Sequence, residues 1–249
     1  DWFGFAVSLS DDRALVGAIQ HGGSESNSGS AYVFDFDGIN WSESAKLTAS
    51  DAAEGDLFGF SVSLSGDRAL VGAYCNSDTG GCSGSAYVFD FDGTAWSESA
   101  KLTASDAAAG DYFGWSVSLS GDQALVGASE DDGAANNSGS AYVFDFNGLT
   151  WSESVKLTAS DEAAGDWFGI SVSLSDDRAL VGAAGNNDAG EASGSAYVFD
   201  FDGTVWTEST KLTASDEAEG DWFGFAVSLS DDRALVGAHF NDAAGPASG

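Results

Sequence analysis

Carboxylates recur in pairs across a glycine: Asp51 with Asp56, Asp106 with Asp111, Asp161 with Asp166 and Asp216 with Asp221. Two acids spaced this way can converge on a hard cation, so calcium, which takes about six to eight oxygen ligands, is the metal they would hold. The same acids serve equally well as solvated turn residues with a capping role, and both readings stand at this stage. Cys75 and Cys82 share one loop. A metal there would need two further soft ligands that the neighbourhood lacks, so a disulfide is expected, contributing about 2 to 3 kcal/mol by closing a small loop. It implies an oxidising, extracellular setting. His21 and His239 stand at different offsets with no partner base near in sequence. Asp11-Asp12 and Asp131-Asp132 recur as turn formers, and no Gly-x-Ser-x-Gly elbow occurs, so no enzyme chemistry is expected.

Forty acidic against eight basic residues give a net charge of −32. Such a surface repels nucleic acid and anionic lipid, which excludes both as partners. No apolar run approaches the roughly 18 residues of a membrane span, so no insertion into a membrane is expected. With 43% hydrophobic residues the chain has ample material for a core. It contains no Met and opens in mid-pattern on Asp1-Trp-Phe-Gly, which reads as a piece of something longer.

The elements that must position these residues follow from a repeat. Nearly the same words begin at Asp1, Asp56, Asp111, Asp166 and Asp221, a period of 55 residues. This divides the single domain 1–249 into repeats 1–55, 56–110, 111–165 and 166–220, with a partial one at 221–249. In the first, Phe5, Val7 and Leu9 alternate with smaller residues, the period-two signature of a strand. A second strand is Ala14-Leu-Val-Gly, and in a third Tyr32, Phe34 and Phe36 line one side while Ala31 and Val33 line the other. Apolar on both faces, this third strand belongs inside a stack of sheets. Asp37-Gly38 supplies a hairpin turn to a half-wet outer strand from Trp41. Four short antiparallel strands per repeat, with no helical stretch, make an all-β chain: a β-propeller of four-stranded antiparallel blades, about five, the last incomplete. Either five blades close a ring with a two-stranded last blade, or the piece belongs to a larger propeller.

Phe-Gly at 3–4, 58–59, 113–114, 168–169 and 223–224, followed by Val-Gly-Ala at 16–18 and its equivalents, resembles the FG-GAP repeat of integrin-type propellers, in its bacterial variety. The resemblance covers the whole chain and implies the same propeller fold. In the calcium-binding version of that repeat, an Asp-x-Asp-x-Asp-Gly cage fills the turn between the first two strands. Here the turn is only Ser10-Asp11-Asp12 or Ser65-Gly66-Asp67, too short for that cage, and the Pro of the family's Gly-Ala-Pro is missing.

The cations keep two offsets: Arg13, Arg68, Arg178 and Arg233, with Gln123 as the exception, and Lys46, Lys101, Lys156 and Lys211. Such regularity indicates structure, with local pairs expected between Arg13 and Asp12 and between Lys46 and Glu43. The repeats differ most in the loops between second and third strands, which hold His21, Glu25, Asn76, Asp78, Glu130, Asp131, Asn186, Asp188, His239 and Asn241. A fixed frame with one varied rim is the pattern of recognition loops, or of drift after duplication. The expected role is an extracellular or cell-surface structural or adhesive module that binds a protein or glycan on a surface. Alternatives are a subunit of an extracellular filament, self-associating by blade completion or strand addition, and a calcium-dependent surface binder.

Overall fold

In the computed structural model, which describes residues 2–20 and 26–241, each repeat folds as one antiparallel sheet in sequence order. The first blade is β1 (Phe3–Ser10), β2 (Arg13–Ala18), β3 (Ser30–Phe36) and β4 (Trp41–Leu47). The second is β5 (Ser61–Ser65), β6 (Arg68–Ala73), β7 (Ser85–Phe91) and β8 (Trp96–Leu102). The third is β9 (Phe113–Ser120), β10 (Gln123–Ala128), β11 (Ser140–Phe146) and β12 (Trp151–Leu157). The fourth is β13 (Phe168–Ser175), β14 (Arg178–Ala183), β15 (Ser195–Phe201) and β16 (Trp206–Leu212), and the fifth sheet pairs β17 (Phe223–Ser230) with β18 (Arg233–Ala238). The described residues form no helix, and none is therefore long and apolar enough to cross a membrane.

The alternation of side chains decides how the blades stack. Between the first two, Leu15, Ala31, Val33 and Leu47 of one face meet Phe58, Val62, Leu64, Val71, Tyr87 and Phe89 of the next in a single buried cluster. The third strand thus contributes its small residues to one neighbour and its aromatics to the other, as its two apolar faces require. The Phe of each Phe-Gly lies edge-on to two rings of its own blade: Phe58 stands 5.5 Å from Tyr87 and 5.9 Å from Phe89. Its backbone forms a parallel bridge to the preceding blade, Gly29 to Phe58, repeated as Gly84 to Phe113, Gly139 to Phe168 and Gly194 to Phe223.

Inner strands of neighbouring blades are stitched by serines. Ser61 Oγ donates to the Gly114 carbonyl at 2.8 Å, and Ser63 Oγ accepts from the Leu119 amide at 2.9 Å. The serines that alternate with Val and Leu along these strands therefore satisfy backbone groups that no strand partner reaches.

The cations do not pair locally as expected. Arg13 reaches Asp35 across its own sheet at 2.9 Å and Asp67 of the next blade at 2.7 Å, and its guanidinium lies 4.5 Å from the Phe91 ring centroid. Arg68 repeats this with Asp90, Asp122 and Phe146. Asp12 is a sequence neighbour of Arg13 but lies in the turn between β1 and β2, while the Arg13 guanidinium extends across the sheet to Asp35 and the next blade. Glu98, which holds the offset of Glu43, instead accepts from the amide and hydroxyl of Ser50 in the loop before its blade, both at 2.8 Å.

The apolar face of β1 is exposed. Val7 and Leu9 are 71% and 66% exposed, whereas their equivalents Val62 and Leu64 are 9% and 6%. On β18, Leu235 is 73% exposed where Leu15, Leu70, Leu125 and Leu180 are fully buried.

Candidate functional site

The paired acids divide into two jobs. Asp51 accepts from the Tyr87 hydroxyl at 2.8 Å and from Lys101, which also bonds Asp78. Asp106 accepts from Tyr142 at 2.8 Å and Lys156 at 2.7 Å, and Asp161 from Tyr197 and Lys211. Although burial raises them, the ammonium and phenol hold these three carboxyls below the usual range. Burial pushes the three tyrosine hydroxyls far up, so they act as neutral donors. Asp56, Asp111, Asp166 and Asp221 are buried and accept the amide three residues earlier, from Ala53, Ala108, Ala163 and Ala218. Burial raises the first three above the normal carboxyl range. Asp216 is exposed.

A lysine ammonium thus lies against Asp51, Asp106 and Asp161, the places a cation would take. Among the described residues no group of three or more His, Cys, Asp or Glu side chains is placed to hold a metal ion.

The residues expected on the varied rim separate likewise. Asn76, Asp131 and Asn186 are buried at one offset and pinch their loops shut: the Asn76 carbonyl accepts from the Gly84 amide at 2.8 Å, and its Oδ1 accepts from Ser85. Asp131 accepts from Ser140, Tyr142 and Lys156, and Asn186 from Ser195 and Lys211. Asp78 and Asp188 pair with Lys101 and Lys211. Asn241 donates to Asp221 at 3.0 Å. Cys75 and Cys82 are joined as a disulfide. His21 and Glu25 lie outside the described residues. Glu130 and His239 remain on the surface of the rim, and both sit among aromatic rings.

Those rings form a ribbon at the start of the inner strands. Phe5 lies 4.9 Å from Phe60, Phe60 4.7 Å from Trp115, and Tyr74 packs 5.2 Å from Tyr112 and 4.9 Å from Trp115. Further round, Trp167 meets Trp222 edge-on at 5.7 Å, and His239 lies 4.8 Å from Phe225. Between the two groups a notch of about 200 Å³ opens, lined by Trp115, Trp167, Ile170, Trp222 and Phe225 with Ser129 and Glu130. Burial and the charge of Asp132 raise the Glu130 carboxyl. The ribbon residues Trp2, Leu57, Tyr112, Trp167 and Trp222 all hold positive φ, between 46° and 60°. For bulky side chains that conformation costs about 1 to 3 kcal/mol and persists only where the surroundings fix it, as at ligand sites. Sequence reading passed over the ribbon because its positions belong to the uniform inner hairpin. The available signal was the changing side chain at two fixed offsets, Trp2, Leu57, Tyr112, Trp167, Trp222 and Phe5, Phe60, Trp115, Ile170, Phe225.

No curated protein matches the chain. The FG-GAP repeat model matches residues 1–34, 41–89, 96–144, 151–199 and 206–249, and each of the last four matches begins on the outer strand of one sheet and runs into the inner strands of the next. With Phe-Gly as the joint between successive four-stranded sheets, this chain belongs to the FG-GAP repeat family and folds as its β-propeller.

Proposed function

We propose that this propeller is an extracellular structural or adhesive module that recognises a surface partner through the rim where its inner strands begin. The observation that carries the reading is the aromatic notch, half-buried rings and one carboxylate gathered on a frame that is otherwise repeated. Rigid sheets holding varied aromatics at a loop rim fit a recognition surface. The disulfide and the absence of any free cysteine suit an oxidising compartment. The partner is a protein or glycan displayed on a surface.

The test compares retention of labelled protein on arrayed proteins, glycans and cell surfaces with that of a Trp167→Ala, Trp222→Ala double variant. The expected result is a loss of about tenfold or more, since buried aromatic anchors carry roughly 2 kcal/mol or more each at interfaces. Equal retention by a folded double variant would overturn the rim.

The exposed faces of β1 and β18 favour a second reading, self-association through a second copy. Val7 and Leu9 belong to the face that each inner blade presents to the blade before it, and Leu235 to the face presented to the blade after. Burying such side chains contributes about 1.5 to 3 kcal/mol each. The mass by light scattering is expected to rise above 25.4 kDa with concentration, and Val7→Asp to abolish the rise. A constant monomer would rule the second reading out.

A further inference from the structure

The notch selects its ligand chemistry by what its wall contains and lacks, taking as premise that the rim is the binding face. Five of its seven lining residues are apolar, and only Ser129 and Glu130 bring polar side chains. A neutral sugar could stack on the rings with its hydroxyls in water, but it would leave the negative charge of Glu130 unneutralised. An anion would meet Glu130 and a chain carrying −32. A neutral apolar group would strip water from the Glu130 carboxylate and return nothing for it.

A cation with a methylated surface meets all three conditions. Its charge needs no hydrogen-bond donor or acceptor, and ring faces attract it through their quadrupoles. Trp167 packs edge-on against Trp222 at 80° and 5.7 Å, and Phe225 leans on Trp222 at 36° and 5.7 Å, so these three rings form one continuous wall of the notch, and Trp115 adds a further ring to its lining. Glu130 supplies the counter-charge: its Oε2 accepts a bond from Asn137 at 3.4 Å, yet it joins none of the ion pairs among the described residues. Arg13, Arg68, Arg178, Lys101, Lys156 and Lys211 are all committed to aspartates. A half-buried carboxylate among aromatic rings, without a resident cation, is half of an ion pair.

We propose that the notch formed by Trp115, Trp167, Trp222, Phe225 and Glu130 binds a quaternary ammonium group, the trimethylammonium of a trimethylated lysine on a protein partner.

Titration calorimetry on the full chain with choline and with its neutral isostere 3,3-dimethyl-1-butanol tests this directly. Choline is expected to bind about tenfold more tightly than the isostere. Glu130→Gln should bring the two within about twofold, and Trp222→Ala should weaken choline about tenfold. Glu130→Gln alters one partly exposed group and keeps the fold intact, so the charge test stands even if Trp222→Ala unfolds the protein. Nε-trimethyllysine is expected to bind at least as tightly as choline and phosphocholine more weakly, because its phosphate meets Glu130 and the −32 charge; tighter binding of phosphocholine would overturn the assignment to a protein partner. Equal binding of choline and the isostere, or binding of neutral oligosaccharides with none of choline, would overturn the proposal while leaving the rim as the binding face. The rim fails only on the separate result that the double tryptophan variant is retained as well as the parent.

Discussion

Acidification from pH 7 to about pH 4.5 raises the melting temperature of this protein, and further acidification below about pH 3.5 lowers it. Two effects set the first limb. A net charge of −32 at pH 7 makes the compact state repel itself, and this relaxes as the pH approaches the isoelectric point of 4.1. Asp56, Asp111 and Asp166 are buried, and burial raises their folded-state pKa above the reference of 3.8. A group with a raised folded pKa binds protons more readily when folded, so its contribution is full below pH 3.8 and is lost as pH rises through the folded value. Lowering the pH from 7 recovers it. The second limb belongs to Asp51, Asp106 and Asp161, held below 3.8 by Lys101, Lys156 and Lys211 and by tyrosine hydroxyls. Their contribution is present above 3.8 and disappears as pH falls through the lowered folded values. Thermal melts followed by circular dichroism across pH 3 to 7 at low ionic strength read both limbs. Adding salt at pH 7 should imitate part of the first limb by screening, because the Debye length shrinks from about 30 Å at 0.01 M to about 3 Å at 1 M. A melting temperature that stays flat or falls between pH 7 and 4.5 would contradict this assignment of the buried aspartates.

The strands and blade order were legible because each blade writes its faces in period two and its hairpin turn with Asp-Gly or Asn-Gly. The turn between the first two strands was equally plain: Asp11, Gly66, Gly121, Asp176 and Asp231 all sit at positive φ, the conformation that Gly and Asp tolerate best. What joins the blades was not legible. The Arg13 contact with Asp67 spans a whole repeat, and no local pattern distinguishes it from a pair with adjacent Asp12. The acids were visible as pairs, but whether they face a metal or a lysine depends on Lys101 and Lys156 arriving from a strand distant in sequence. Asn76, Asp131 and Asn186 looked variable because their loops are, yet four of the five copies at their offset hold Asn or Asp, with His21 in the first, and Asn and Asp are residues that can pinch a loop from inside. The notch was hidden for the opposite reason. Its aromatics sit in the most uniform stretch, where a ring reads as core, and only the packing leaves one side of them open.

Gly127→Ala lowers the melting temperature by about 6 to 12 °C, while Gly237→Ala, in the same Leu-Val-Gly-Ala context, shifts it by no more than about 2 °C. A methyl at Gly127 would collide with the Gly169 carbonyl oxygen of the next blade and with Ser116 Oγ. Backbone cannot swing aside there, because Gly169 is fixed by Phe168 in its bridge to Gly139 and by the Ser116 hydroxyl at 2.8 Å. The cost is overpacking of about 3 kcal/mol, at the upper end of what added methyl groups cost in a tight core. At Gly237 the nearest atoms are the Ala226 carbonyl oxygen at 3.7 Å and its Cβ at 3.8 Å, ordinary contact distances. Equal destabilisation of the dilute protein by both variants would show that the glycine is needed for its own strand rather than for the approach of the next blade. The comparison also separates the two modes of self-contact. On the monomer Gly237→Ala is nearly silent, but a second copy seated over Leu235 would bring its own Phe-Gly carbonyl to the place Gly169 occupies over Gly127. The variant should then block the concentration-dependent rise in mass without changing the melt, whereas association through the aromatic rim would be indifferent to it.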